Sequence, residues 1–290
     1  MRGFAQHNPI SVALALFCAA GVAMVCMDPF ILMISLAGAL AYFFLRNGLR
    51  GMKGLGWIVL LYLVMTLINP LTYHNGATVL FVMNDNPITL EALLYGAAAA
   101  GMVVTVLFWF RSFTQIMTSD RLLYLFGSLS PKLALILSMT LRYVPLFGQQ
   151  VRKVKQAQKA LGLYKEDNIV DGFRANVRVF SVMVTWALEN GIITADSMTA
   201  RGYGVGRRTH FSIFRFTRED AVLLVSALAL TALAAWGIWD RSISWYPELV
   251  MSPLTPRVMA GYLAYAILAF LPVIIDAKEA LAWRCYESNI

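Results

Sequence analysis

The sequence predicts an all-α, polytopic membrane protein with about six spanning helices and a separate helical module between the fourth and the fifth. Three observations carry that expectation. Of the 290 residues 59% are hydrophobic and only 14% charged, and the mean hydropathy is +0.65, far more apolar than a soluble domain of this length. Six apolar runs approach the roughly 20 residues that a spanning helix needs. Once these runs are threaded, almost all positive charge falls on one side.

The first run, Ile10 to Met27, follows Arg2 as the core of a signal peptide would. It is longer than the roughly 7 to 15 residues of such a core, and a second run follows at once, so it is expected to be retained as a span. Asp28-Pro29 breaks the first pair, with Asp28 expected as an outer loop residue. The second and third runs, Phe30 to Leu45 and Leu55 to Ile68, are short and call for tilt or flanking residues. Asn69-Pro70 is expected to end the third, because proline lacks an amide donor and disfavours a helical residue before it. The fourth, Ile88 to Phe110, opens on "NPITLE", a capped start with Glu91 in its first turn. Ala221 to Trp239 and Val258 to Ile275 complete the six.

With the N-terminus in the cytoplasm, all but Arg241 and Arg257 of the 24 lysines and arginines lie inside. That asymmetry orients the chain with both termini cytoplasmic. Trp236, Trp239, Trp245 and Tyr246 then gather at the outer interface, and Trp109 and Trp283 at the inner one. The net charge of +8 thereby becomes a topological signal.

Residues 112–218 are too many for a plain loop. "SPKLALILSMTLRYVPLFGQQ" starts on a serine cap and a proline at the first helical position, and is expected to be interrupted at Arg142 and Pro145. "RKVKQAQKALGLYKEDN" is basic and rich in helix formers, with Gly162 as a left-handed stop. "VRVFSVMVTWALENGIITADSMTARGYG" repeats the scheme and stops at Gly202. Gly148, Gly162, Gly172 and Gly191 are expected to punctuate short amphipathic helices. The division is 1–111, four spans; 112–218, a cytoplasmic helical module; and 219–290, two spans and a cytoplasmic tail.

Little here points to catalysis. No Gly-x-x-x-x-Gly-Lys-Ser/Thr loop occurs to cradle phosphates. Gly202, Gly204 and Gly206 follow a helix instead of opening one, so they read as a turn. His7, His74 and His210 are scattered, and Cys18, Cys26 and Cys285 have no metal-ligand spacing. No catalytic residue, metal or cofactor is expected. The basic stretch Arg152 to Lys159 lacks interleaved aromatics, so it suits anionic lipid or an acidic protein face, not nucleic acid.

Two helix ends look alike. Ala160-Leu161-Gly162 and Ala200-Arg201-Gly202 lie 40 positions apart, with Tyr164 and Tyr203 close behind. An arginine in a last turn followed by glycine complements the helix dipole and caps the helix. The same small-Arg-small triplet leaves a guanidinium unobstructed at a tip, able to meet a carboxylate in bidentate geometry.

The segments "NPITLEALLYG", "TSDRLLYLFG", "LSMTLRYVPLF", "AQKALGLY" and "ADSMTARGYG", in that order, resemble the transmembrane T component of energy-coupling factor transporters, a branch of the ABC importers. The likeness covers most of the chain from Asp28 onward. It implies a scaffold in a prokaryotic cell membrane, carrying ATP-driven motion from two ABC-type ATPase subunits, identical or not, to a small hydrophobic substrate-binding S component for uptake of a vitamin or metal ion. It implies that the 112–218 module is a coupling-helix module, and that Ala160, Leu161, Gly162, Ala200, Arg201 and Gly202 dock the ATPases. Arg201 carries its triplet intact, whereas Leu161 stands where the family often has arginine. A substrate-conducting permease of a conventional ABC importer and a polytopic membrane enzyme are the alternatives.

Overall fold

Proline and a side-chain acceptor together start the first two of the spanning helices. In the computed structural model, which describes residues 3–48, 54–73, 76–83, 86–163, 169–206, 214–239, 241 and 243–287, α1 (Pro9–Val25) begins with the Asn8 side chain accepting from the Ile10 amide. α2 (Pro29–Asn47) begins with Asp28 accepting from Phe30. Such caps satisfy amides that have no partner within the helix, and proline at the next position gives up a donor that would be idle anyway. α3 (Leu55–Thr72) leads into a hairpin of β1 (Val79–Met83) and β2 (Asn86–Thr89), paired antiparallel. α4 (Leu90–Ile116) follows, capped by Thr89.

The chain divides into two units. One comprises residues 1–118 and 214–290, the other 119–213. The first unit is completed by α8 (Arg218–Ile238), the short pair β3 (Ile243–Ser244) and β4 (Val250–Met251), and α9 (Pro256–Glu287). α2, α3, α4, α8 and α9 are long and apolar enough to cross a membrane; α1, at 17 residues, is apolar but shorter. The all-α, multispanning architecture expected from composition is therefore present, with two small strand pairs added at the loops.

Within this unit α4 packs on α1, α2 and α3, while α9 packs on α2 and α8. The core where α1, α2, α4 and α9 meet holds a polar knot. Trp109 donates its indole N–H to Ser35 at 3.0 Å, and Tyr265 lies 2.7 Å from the same Ser35 oxygen and donates to the Ala19 carbonyl at 2.9 Å. Trp109 is 1% exposed, so it is a core residue and not the interfacial anchor expected of it.

Both ends of the bundle are tied by buried polar groups. At one end Asp220, the third residue of α8, closes a capping box by accepting from the Thr217 amide and hydroxyl at 2.9 and 2.7 Å. Its other oxygen lies 2.9 Å from His7 Nδ1 and accepts from the Asn8 amide at 2.9 Å, joining α8 to the start of α1. At the other end Asp28 meets Arg241 at 2.5 Å and accepts a hydrogen bond from Tyr262. Asp28 thus lies in the loop between α1 and α2, as expected, and is buried there as a cap and ion-pair partner. Loops at this end are linked as well: Thr78 donates to Glu91, and the Ala77 amide to the Pro247 carbonyl at 3.0 Å.

Two proline expectations are corrected. α3 continues through Pro70 to Thr72, because Asn69 donates to the Ala92 carbonyl at 2.9 Å and holds this turn against α4. α6 likewise continues through Arg142 and Pro145. The cost of an interior proline is offset where packing fixes the turns on either side.

Candidate docking site

The second unit contains α5 (Ser119–Leu129), α6 (Pro131–Ala160) and α7 (Ile169–Ala200). At about 1.5 Å per residue, the 30-residue α6 and 32-residue α7 are each about 45 to 48 Å long. They replace the short helices expected from the glycines: Gly148 lies inside α6, and Gly172 and Gly191 inside α7. Helices of this length persist because each buries a stripe. Ala175, Val179 and Met183 of α7 form a small buried cluster against Phe147, Val151 and Val154 of α6, with Trp186 alongside. Spacings of three and four place these residues on one face of each helix.

The pairing runs antiparallel. Tyr143 shares a 2.8 Å hydrogen bond with Thr194, the Phe147 and Trp186 rings meet at 5.5 Å, and Arg178 donates to the Leu163 carbonyl at 3.2 Å. The C-terminal tips of α6 and α7 therefore extend towards opposite ends of the pair. From the Phe147–Trp186 contact each tip is about 14 or 15 residues away, which separates the tips by roughly 30 to 45 Å for any crossing from perpendicular to collinear. One groove cannot receive both.

Each tip ends in the same backbone motif. Leu161 donates to Ala157 at 3.1 Å, Gly162 to Lys159 at 3.0 Å and Leu163 to Gln158 at 3.0 Å. Forty positions on, Arg201 donates to Ser197 at 3.3 Å, Gly202 to Thr199 at 2.9 Å and Tyr203 to Met198 at 3.0 Å. Gly162 and Gly202 have φ of 69° and 76°. This is the double-bonded left-handed ending in which glycine is favoured because a Cβ would be strained. The left-handed stops expected at both glycines are present.

All six residues of the two triplets are exposed. Leu161 is 72% exposed. Arg201 has no ion pair or side-chain hydrogen bond among the described residues, and its alanine and glycine flanks leave the guanidinium uncrowded by its chain neighbours. Such a group can dock on a carboxylate; the leucine can fill an apolar hollow. The shafts also differ: Arg152, Lys153, Lys155 and Lys159 approach the α6 tip, whereas Glu189 and Asp196 approach the α7 tip. Tyr164, Asn168, and Arg207 to His210 lie outside the described residues. Among the described residues no cluster of histidine, cysteine or acidic groups is placed to hold a metal ion.

Sequence reasoning missed the outward face of α7. Phe173, Val177, Phe180, Val184, Leu188 and Ile192 are exposed at helical spacing, opposite the face that meets α6. The period was legible, but a helix apolar on two sides gives no simple amphipathic signal.

Comparison with known proteins agrees with this architecture. Residues 4–211 match the family of CbiQ, cobalt transport protein. The chain is 28% identical over 203 residues to the energy-coupling factor transporter transmembrane protein EcfT of Listeria innocua, covering 65% of this chain and 74% of that protein. It is 30% identical over 213 residues to EcfT of Lacticaseibacillus paracasei, covering 69% and 78% respectively. With EcfT of Bacillus subtilis it shares 25% over 197 residues, 64% of this chain and 73% of that one.

Proposed function

The chain belongs to the CbiQ cobalt transport protein family and is the transmembrane scaffold component of an energy-coupling factor transporter, and from that premise we propose that the tips of α6 and α7 dock two ABC-type ATPase subunits. Ala160, Leu161 and Gly162 form one contact, and Ala200, Arg201 and Gly202 the other. The observation that supports this is the repeated ending: two long helices closed by the same hydrogen bonds, each presenting one exposed side chain between an alanine and a glycine.

On this reading ATP is hydrolysed by the partners and the chain itself is non-catalytic. Its bundle holds a small hydrophobic S component, which supplies the specificity for a vitamin or metal ion. Both termini and the 119–213 unit lie in the cytoplasm, as the lysine and arginine distribution supports. The two tips differ in the way that two non-identical ATPase grooves would require, apolar for Leu161 and acidic for Arg201.

Co-purification tests the proposal. The chain, expressed with its ATPases and S component, should retain both ATPases in detergent. Arg201→Ala should release at least one while the variant still inserts and still binds the S component. Retention of both at wild-type level in Arg201→Ala and Arg201→Glu would refute the docking role.

A further inference from the structure

α8 and α9 touch closely at one end and part at the other. A Cβ added to Gly237 would lie 2.6 Å from the Gly261 Cα, so the backbones meet there with no side chain between them. Arg257 closes this end by donating to the Trp236 carbonyl at 2.8 and 3.0 Å. Some 14 residues along α8, about 20 Å away, the two helices enclose an open groove of about 340 Å³. Its walls are Val222 and Leu223 of α8 and Ile267, Leu271 and Ile274 of α9.

Two of the groove's three polar side chains sit at its rim. His7 and Glu219 border it where α8 begins. Lys278 follows Ile274 by four residues, one turn further along the same side of α9, and is exposed. The rim thus offers a carboxylate from one wall and an ammonium from the other, at the level where both helices leave their apolar span. The deep part is aliphatic except for Ser226, whose hydroxyl donates to the Leu223 carbonyl at 3.0 Å.

We propose that this groove holds one acyl chain of a phosphatidylethanolamine-type lipid, with the lipid phosphate at Lys278 and its ammonium at Glu219. A hydrocarbon chain suits the aliphatic walls; a helix of a partner protein is the other occupant, and its presence there would leave no lipid retained. Charge argues for the headgroup: a zwitterion matches both rim charges, while an anionic glycerol headgroup leaves Glu219 facing a phosphate. The lipid fills the space left between α8 and α9 by their contact at Gly237 and Gly261.

Native mass spectrometry of the full chain, released from nanodiscs of equal phosphatidylethanolamine and phosphatidylglycerol, tests the site. One retained phosphatidylethanolamine per chain is expected. Ile274→Trp and Val222→Trp, which fill the groove from opposite walls, should each lose it. Leu263→Trp, on an exposed part of α9 outside the groove, should keep it. Glu219→Gln should lower the preference over phosphatidylglycerol several-fold. No retained lipid, a preference for phosphatidylglycerol, or retention unaffected by both filling variants would overturn the proposal, as would equal loss in Leu263→Trp.

Discussion

Replacing Arg201 by alanine separates a helix cap from a docking contact, because the two roles differ in magnitude. The side chain is exposed and makes no ion pair or side-chain hydrogen bond among the described residues. Its truncation therefore removes from the fold only the interaction of a cation with the negative end of α7, about 0.3 to 1 kcal/mol. The backbone bonds of Arg201, Gly202 and Tyr203 remain, since alanine retains the amide. At an interface the same truncation leaves a partner carboxylate unpaired, at a cost of about 2 to 5 kcal/mol. With about 1.4 kcal/mol per tenfold change, affinity for the ATPases should fall from about 30-fold to several thousand-fold. The assay is titration of purified ATPases against the chain held in nanodiscs, with thermal unfolding followed in parallel. Arg201→Glu should bind worse still, through like-charge repulsion. A loss of ATPase affinity below threefold in both variants would refute the reasoning and leave Arg201 as a cap.

Leu161→Ala should weaken ATPase binding by about 1 to 2 kcal/mol, the value of burying most of a leucine; unlike the effect at Arg201, it should change little between low and high salt in the same titration. A cysteine placed at Ser244 should react with an impermeant maleimide added to intact cells, and one at Ser197 should not. Gly237→Ala should destabilise the bundle by about 1 to 3 kcal/mol, read as a fall in the unfolding temperature, because the added methyl meets backbone atoms of Gly261 and Arg257 within 3 Å. An unchanged temperature would show that α8 and α9 separate there at little cost.

The sequence made the spans legible because an apolar run of fixed length is a local property, and the tips legible because a glycine after a helical run declares a left-handed turn. What stayed hidden depended on neighbours. Trp109 near the end of an apolar run reads as an interfacial anchor until Ser35 and Tyr265 are seen beside it. Helices apolar all round have no polar face to reveal which side is inward. Asp28 beside a proline reads as a loop residue, which it is, but its burial stayed hidden because Arg241 and Tyr262 are more than 200 positions away. Pro145 reads as a break because propensity is local, whereas Tyr143 and Phe147, which fix the turn around it, do so through Thr194 and Trp186 of another helix.

The two units are held by different kinds of force, and that difference bears on how motion would pass through the protein. In the bundle, directional ties fix both ends: Asp220 accepts from two segments at once, and Asp28 joins Arg241 and Tyr262. Buried charges of this kind tolerate little displacement, because separating them leaves each unpaired in a low dielectric. The α6–α7 pair instead has a small apolar cluster at its centre, with hydrogen bonds at Tyr143–Thr194 and Arg178–Leu163 on either side. Apolar contact is non-directional, so a shift that exchanges one aliphatic neighbour for another costs far less than breaking a charged tie. Force applied at the tips would be spent first on sliding α6 against α7 and only afterwards on deforming the bundle. Val151 and Val179, packed in the same cluster, report on that sliding: their separation should change with ATP if the pair shears and stay constant if it moves as one body.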